Sequence, residues 1–261
     1  MPDPMPDPLP DPLPDPLPDP ARDPARIVLV HGAWGRASTW GEVPARLAAL
    51  GHEVIAPDLP GHGADPADPA TVTLAQYAAR LAELLRAGPP ALLVGHSMGG
   101  MAISAAAELA PDRITRLVYV AAFLPQDGES PLDLMKRQSD TIRPALRPGP
   151  GPGTTTLDPA AALPLLAQDA PPEAQAALAA ALGPQPNRPQ TDRIHLTPGN
   201  FGRLPRAYIL CEADRVITPA LQRDMIAASP CDPVFPLPTG HFPQLADPDR
   251  LARLLADLAV L

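Results

Sequence analysis

Residues 91–100 read ALLVGHSMGG, and this stretch decides the fold. Its first four residues form an apolar run that predicts a buried strand, and a helical pattern extends from Met98 to Ala110. A Gly-x-Ser-x-Gly motif that joins a strand directly to a helix is typical of a nucleophile elbow, a tight turn that exposes the serine. We therefore predict that Ser97 is a nucleophile. The alternative is a plain strand-to-helix turn with a capping serine.

The neighbours of Ser97 suit such a turn. The residues two positions before and after the nucleophile must be small, and here they are Gly95 and Gly99. The helix that follows would direct its free N–H groups and the positive end of its dipole toward the reacting centre.

On both sides of this motif, short apolar runs alternate with helical patterns. Strands are expected at 27–30, 54–56, 91–94, 117–121, 207–211 and near 234–237. Helices are expected at 38–50, from the capping box at Thr73 to Gly88, at 98–110, near 219–228 and after Asp247. This alternation predicts an α/β fold, with about six mostly parallel strands and helices on both faces.

Two segments depart from the alternating pattern. Residues from about 125 to 205 are rich in Pro, Ala and Gly, with short helical stretches at 160–169 and 172–182, and they predict a cap inserted into a domain of residues 26–261. Residues 1–20 are five tetrads of the form Met/Leu-Pro-Asp-Pro. Proline has no N–H and fixes φ, so we expect a disordered tail over residues 1–25.

Composition excludes several classes of protein. The chain has 261 residues, 45% of them hydrophobic, and a net charge of −9 without a basic patch, so a nucleic-acid partner is not expected. No apolar run reaches the ~18 residues that span a membrane, and no signal peptide is visible, so we expect a cytoplasmic protein. The oligomeric state stays open, a homodimer included.

Cysteine and histidine spacing gives no sign of a metal site. The two cysteines, Cys211 and Cys231, are too few for a disulfide scaffold or a Cys-rich zinc site. We expect them to be free thiols, although a disulfide between them stays open. No His-x-x-x-His pair or carboxylate cluster has the spacing of metal ligands, so no metal is predicted.

A serine nucleophile needs a base to take its proton. His241 lies in LPTGHF (237–242), directly after the last predicted strand and on the same sheet edge as Ser97, so it is the predicted base. The base needs an acid to orient it, and Asp214 follows the 207–211 strand by three residues. The chain order Ser97, Asp214, His241 is the order of α/β-hydrolases. Asp127, after the fourth strand, is the alternative acid.

The tetrahedral intermediate of such a reaction needs two N–H groups for its oxyanion. The amide of Met98, directly after the nucleophile, is one predicted donor. The amide of Ala33, in the His-Gly-Ala-Trp loop (31–34) after the first strand, is the other. Both donors are backbone groups.

Together these motifs resemble the α/β-hydrolase superfamily, and more narrowly the bacterial esterases related to plant methylesterases and hydroxynitrile lyases. The resemblance covers about residues 26–261, is weakest in the cap, and is carried by the segments VLVHGAW (28–34), APDLPGHG (56–63), LVGHSMGG (93–100), LVYVAAFLP (117–125) and TGH (239–241). It implies a serine carboxylic-ester hydrolase that uses no cofactor and forms an acyl-enzyme. Its substrate would be a small or medium-sized ester bound between core and cap, and the candidate pocket walls are Trp34, Met98, Phe123, Leu124 and Phe242.

Other activities on the same scaffold stay open. The hydroxynitrile lyases that the chain resembles carry a lysine directly after the catalytic histidine and a hydroxyl side chain in the oxyanion loop. Here those positions are Phe242 and Ala33, which disfavours a lyase. A perhydrolase or a carbon–carbon bond hydrolase would use the same triad. A non-catalytic ligand-binding homologue would be favoured by the loss of a triad member, and none is lost.

Overall fold

The computed structural model describes residues 24–139 and 141–261, so the tail predicted for residues 1–25 lies almost wholly outside the described residues. The strands, in chain order, are β1 (Arg26–Val30), β2 (Glu53–Ile55), β3 (Ala91–His96), β4 (Ile114–Val120), β5 (Leu146–Pro148), β6 (Thr154–Leu157), β7 (Gln185–Pro186), β8 (Arg206–Cys211) and β9 (Val234–Leu237). The α-helices are α1 (Val43–Ala49), α2 (Leu74–Arg86), α3 (Gly99–Leu109), α4 (Pro131–Met135), α5 (Pro159–Leu166), α6 (Pro172–Ala181), α7 (Arg188–Thr191), α8 (Pro219–Ala228), α9 (Pro243–Ala246) and α10 (Pro248–Ala259).

Six strands form one parallel sheet in the order β2-β1-β3-β4-β8-β9. The predicted α/β fold with a six-stranded parallel sheet is therefore confirmed. Successive residues of β1 belong to two different apolar clusters, Ile27 and Leu29 to one, Val28 and Val30 to the other. Because side chains alternate along a strand, both faces of the sheet are buried.

Helices cover each face of the sheet. α1 and α10 pack against each other on the face of Ile27 and Leu29, and they bury Leu47 and Leu255 there. α2, α3 and α8 cover the opposite face. The predicted capping box of α2 is present, because the Thr73 side chain accepts from the Gln76 amide and the Gln76 side chain accepts from the Thr73 amide.

One predicted helix is wrong at its start. The sequence predicted a single helix over 38–50, but the structure has a 3₁₀ turn at Ala37–Trp40, a break at Gly41, and α1 only from Val43. Gly41 has a φ of 56°, a left-handed conformation that a helix cannot continue through. Pro44 has no N–H to donate, so it fits only the first turn of a helix, and α1 therefore begins beside it.

The cap, residues 125–205, lies between β4 and β8 in the chain. α5 and α6 agree with the predicted helical stretches at 160–169 and 172–182. The cap also contains an antiparallel sheet of β5, β6 and β7, which the sequence did not predict. Among the described residues, no helix is both long and apolar enough to cross a membrane.

Candidate active site

Ser97 lies between the end of β3 and the start of α3, in a strained backbone conformation. Its φ is 56°, a region that costs a non-glycine residue about 1–3 kcal/mol. Backbone hydrogen bonds hold it there, since the Ser97 amide donates to the Val120 carbonyl and the Ser97 carbonyl accepts from the Phe123 amide. Neighbouring β4 and its following loop therefore fix the sharp turn that the motif predicted.

The glycines around Ser97 are required by close approach. A Cβ on Gly95 would lie 2.7 Å from the Gly99 carbonyl carbon, and a Cβ on Gly99 would lie 2.6 Å from the Val30 carbonyl oxygen. Real Cβ atoms do not approach other atoms so closely, so a larger residue at either position would force the turn apart.

The structure brings Ser97, His241 and Asp214 together in one buried line. His241 follows β9, and its Nε2 lies 3.0 Å from the Ser97 Oγ. Its Nδ1 lies 2.8 Å from the Asp214 Oδ2. A carboxylate can only accept, so Nδ1 carries the proton and Nε2 is free to accept from the serine hydroxyl.

The Asp214 carboxylate is buried after β8 and held by several donors. Its Oδ1 accepts from the amides of Val216 at 2.7 Å and Ile217 at 3.0 Å. Its Oδ2 also accepts from the side-chain amide of the fully buried Gln222 on α8, at 3.0 Å. These bonds fix the plane of the carboxylate and hence the direction from which it meets His241.

The alternative acid, Asp127, has other partners. It lies in the cap with an exposed side chain, where its Oδ1 is 3.0 Å from the His195 Nδ1 and accepts from the Leu196 amide at 2.8 Å. That amide and the His195 ring lower the pKa of Asp127 despite some desolvation. The carboxylate that meets His241 is thus Asp214.

The loop of the predicted oxyanion donor Ala33 lies directly against Ser97. A Cβ on Gly32 would lie 2.8 Å from the Ser97 Cβ, so only glycine allows this approach. Ala33 follows in this loop, and Met98 sits at the N-terminus of α3 with an α-helical backbone. Ala33 and Met98 thus belong to two segments that meet at Ser97, and their roles as oxyanion donors stay a prediction.

Two supporting residues were missed by the sequence reasoning. His96 is fully buried, and its Nε2 donates to the His241 carbonyl at 2.7 Å. Burial lowers the pKa of His96 well below its ordinary value, so the ring stays neutral. Gln222 is the other, and its signal in the sequence is a polar residue on the buried face of α8, between Leu221 and Met225.

The predicted pocket walls are all buried around the site. They share one apolar cluster with residues of the cap, among them Leu134 and Leu166. Phe242 packs edge-on against His241, with 5.6 Å between ring centroids. The pocket-wall members of this cluster are Trp34, Met98, Phe123, Leu124 and Phe242.

The remaining expectations concern thiols and metals. Cys211 and Cys231 are both free thiols, the first buried and the second half-buried. Burial raises the pKa of Cys231 to about 12, so this thiol is not a nucleophile at neutral pH. Within residues 24–139 and 141–261, no group of three His, Cys, Asp or Glu side chains could hold a metal ion.

Known proteins resemble this chain over most of its length. Methylesterase 2 of Arabidopsis thaliana is 31% identical over 249 residues, covering 89% of this chain and 95% of that protein. Against the chloroplastic methylesterases 13, 15 and 11 of the same plant, the chain spans only 56%, 57% and 63% of their length. Among solved structures, a pyrethroid hydrolase from Sphingobium faniae JZ-2 is 30% identical with a TM-score of 0.81, covering 91% of this chain and 98% of that chain.

A family model agrees with these relatives. The model described as "Alpha/beta hydrolase family" matches residues 27–254. This range includes Ser97, Asp214 and His241, and it includes all six strands of the main sheet except for Arg26, the first residue of β1. The chain belongs to the alpha/beta hydrolase family.

Proposed function

We propose that this protein is a serine carboxylic-ester hydrolase that acts on a small or medium-sized ester through an acyl-enzyme. The observation that carries the proposal is the line of hydrogen bonds from Ser97 Oγ to His241 Nε2, at 3.0 Å, and from His241 Nδ1 to Asp214, at 2.8 Å. This line starts at an elbow serine whose backbone is held in a strained conformation. The nucleophile, the base and the orienting acid are thus assigned to three named side chains.

The names of the relatives support an ester as the substrate class. One relative is a methylesterase and one structural neighbour is a pyrethroid hydrolase. Ester hydrolysis by this set of residues needs no cofactor. The apolar side chains of Trp34, Phe123, Leu124 and Phe242 favour uncharged acyl and alcohol groups.

In the first half of the reaction, Ser97 Oγ attacks the ester carbonyl carbon while its proton passes to His241 Nε2. Asp214 accepts from His241 Nδ1 and stabilises the imidazolium that forms. The carbonyl oxygen becomes an oxyanion, which the amides of Ala33 and Met98 stabilise. The intermediate then collapses, the bond to the alcohol oxygen breaks, and His241 gives its proton to the departing alcohol.

In the second half, water attacks the acyl carbon of the acyl-enzyme. His241 takes one proton from this water, and a second tetrahedral intermediate forms in the same oxyanion site. Its collapse breaks the bond to Ser97 Oγ, which regains the proton from His241. The products are the carboxylic acid and the free enzyme.

The test compares the native protein with Ser97→Ala on p-nitrophenyl esters from acetate to octanoate. We expect turnover that the variant abolishes, and a chain-length profile that gives the size of the acyl site. Absence of turnover on every ester, with circular dichroism proving that the native protein is folded, would contradict the proposal. Mandelonitrile cleavage would then test the lyase alternative.

A further inference from the structure

The cap holds the loop of the predicted oxyanion donor Ala33. Trp34, the next residue, has a φ of 57°, a left-handed conformation that surrounding contacts must maintain. Its amide donates to the Gln185 Oε1 at 3.1 Å, and its carbonyl accepts from the Gly183 amide at 2.8 Å. Its indole Nε1 donates to the Thr155 hydroxyl at 3.3 Å. All three partners belong to the cap, so the core alone does not fix this part of the loop.

Gln185 holds the loop at one point, and a buried network of Tyr77 and His62 holds it at another. Its side chain is fully buried and also donates from Nε2 to the Pro186 carbonyl at 2.8 Å. The neighbouring Tyr77 hydroxyl, whose pKa Gln185 lowers against the rise that burial causes, lies 2.6 Å from the His62 Nε2. The His62 Nδ1 lies 3.0 Å from the Gly35 carbonyl. The loop is therefore held at the Trp34 amide by Gln185 and at the Gly35 carbonyl by His62.

The protonation states of this network are fixed. Burial lowers the pKa of His62 to about 3, so the ring is neutral and carries one proton. The Gly35 carbonyl can only accept, so that proton is on Nδ1, and Nε2 accepts from the Tyr77 hydroxyl. Burial raises the pKa of Tyr77, which keeps this hydroxyl protonated. The Tyr77 hydroxyl and the His62 Nδ1 proton then each have an acceptor, and a satisfied buried network is rigid.

The other side of Ala33 is fixed by the core. The His31 Nδ1 lies 2.8 Å from the Gly32 carbonyl, and the His31 Nε2 accepts from the Leu59 amide at 3.1 Å. The Gly32 carbonyl and the Ala33 amide belong to one planar peptide unit, so this bond sets the direction of the Ala33 N–H. The next peptide unit, between Ala33 and Trp34, is held through the Trp34 amide by Gln185, so both units that flank Ala33 have a fixed partner.

We propose that Gln185 of the cap is a positioning residue for ester hydrolysis: by binding the Trp34 amide, it holds the loop that directs the Ala33 N–H toward the oxyanion. The inference rests on the proposed function. It adds that the oxyanion site is complete only when the cap is seated on the loop.

The test uses the full chain with Gln185→Met, which keeps the size of the side chain and removes its hydrogen bonds. The matched control is Gln175→Met, because Gln175 is also a cap glutamine and bonds only locally, from Nε2 to the Ala170 carbonyl. Steady-state kinetics on the best p-nitrophenyl ester give kcat and KM. The Ki of a trifluoromethyl ketone, which forms a tetrahedral oxyanion with the serine, reports on the oxyanion site itself.

We expect Gln185→Met to lower kcat roughly 10- to 100-fold, because losing one oxyanion donor outright costs about 10²–10³. KM should stay nearly constant, and the Ki should weaken by the same factor as kcat/KM. Gln175→Met should match the native protein. A raised KM with unchanged kcat, or a lowered kcat with an unchanged Ki, would overturn the proposal.

A second variant covers the case in which Gln185→Met does not fold. Gln185→Leu removes the same bond to the Trp34 amide with a shorter side chain, so a similar fall in kcat with an equal rise in Ki is expected. Native values for both constants would overturn the proposal. If the native protein itself shows no turnover dependent on Ser97, the proposed function has failed, and this inference falls with it.

Discussion

The core and the cap contribute to the candidate site in different ways. The core supplies the side chains of the hydrogen-bonded line, each of them in the loop that follows a strand of the parallel sheet. The cap supplies contacts to the loops beside them. Gln168 donates to the Ala213 carbonyl at 2.9 Å, and Asp169 accepts from the Gly240 amide at 2.6 Å.

These cap contacts have a common location in the chain. Ala213 precedes Asp214, Gly240 precedes His241, and Trp34 follows Ala33. The cap thus bonds to the backbone next to three of the predicted functional groups rather than to the groups themselves. Substitutions of the core side chains should therefore remove groups that take part in the reaction and lower kcat strongly. Substitutions in the cap should only loosen the positions of those groups and lower kcat less.

The largest effect is expected at Asp214. Asp214→Asn should lower kcat by up to about 10⁴, because an amide at this position favours the wrong tautomer of His241. The control is Asp127→Asn, which changes an exposed carboxylate bonded to His195 and should leave kcat unaltered. If the Asp127 variant loses activity and the Asp214 variant keeps it, the assignment of the acid is wrong.

A smaller effect is expected from pH on the stability of the protein, through its buried histidines. Burial lowers the pKa of His31 to about 4 and that of His62 to about 3, against about 6.5 in the unfolded chain. Between pH 6.5 and 4 the unfolded chain therefore binds protons that the folded chain does not. The free energy of unfolding should fall as the pH drops through this window, by on the order of 3 kcal/mol for each ring.

Urea unfolding measured at a series of pH values checks this window. His62→Gln removes one of the three buried rings whose pKa is lowered, with His31 and His96, and should flatten the dependence relative to the native protein. His195→Gln, which changes an exposed ring in the cap, is the control. A His62 variant with the native slope would show that this ring does not titrate on unfolding.

The next largest effect is expected at Asp169, which binds the loop that carries His241. Asp169→Ala removes the acceptor of the Gly240 amide and should lower kcat roughly 3- to 30-fold at constant KM, less than the 10² that a ~1 Å displacement can cost. The control is Glu173→Ala, an exposed cap carboxylate on α6. Equal kcat values for the two variants would show that Asp169 does not help to position His241.

The smallest effect is expected at Asp247, at the start of α10. This helix lies on the face of the sheet opposite α2, α3 and α8. The Asp247 side chain accepts from the Arg250 amide and caps α10. Asp247→Ala should therefore lower the free energy of unfolding by about 1 kcal/mol, measured by urea unfolding, and leave kcat unchanged. A clear loss of kcat would mean that the helix layer behind the sheet also positions the site.

The sequence predicted the core well because its signals are local. The elbow at Ser97 and the places of Asp214 and His241 after β8 and β9 follow from short apolar runs that end in a turn, and the parallel sheet brings their ends to one edge. The prediction of one helix over 38–50 is wrong because Gly41 takes a left-handed conformation that interrupts it. The small cap sheet was missed because β5 and β7 are short and each contains a proline, which hides any alternating pattern.

The supports of the site could not be predicted for a different reason. His96 and His241 are 145 residues apart, and Trp34 and Gln185 are 151 apart. A glutamine that binds a distant amide cannot be found from the sequence, since one polar residue does not change the hydrophobic periodicity of its helix or strand. Such contacts are visible only once tertiary packing is known.

The central claim is that His241 activates Ser97 as a nucleophile, and labelling with a fluorophosphonate tests it most directly. Serine oxygen attacks phosphorus, fluoride leaves, and the hydroxyl proton passes to the histidine. The account predicts one adduct per chain, mapped to Ser97 by mass spectrometry, absent in Ser97→Ala and strongly slowed in His241→Gln. A folded native protein that takes no label, or takes it on another residue, would contradict the account.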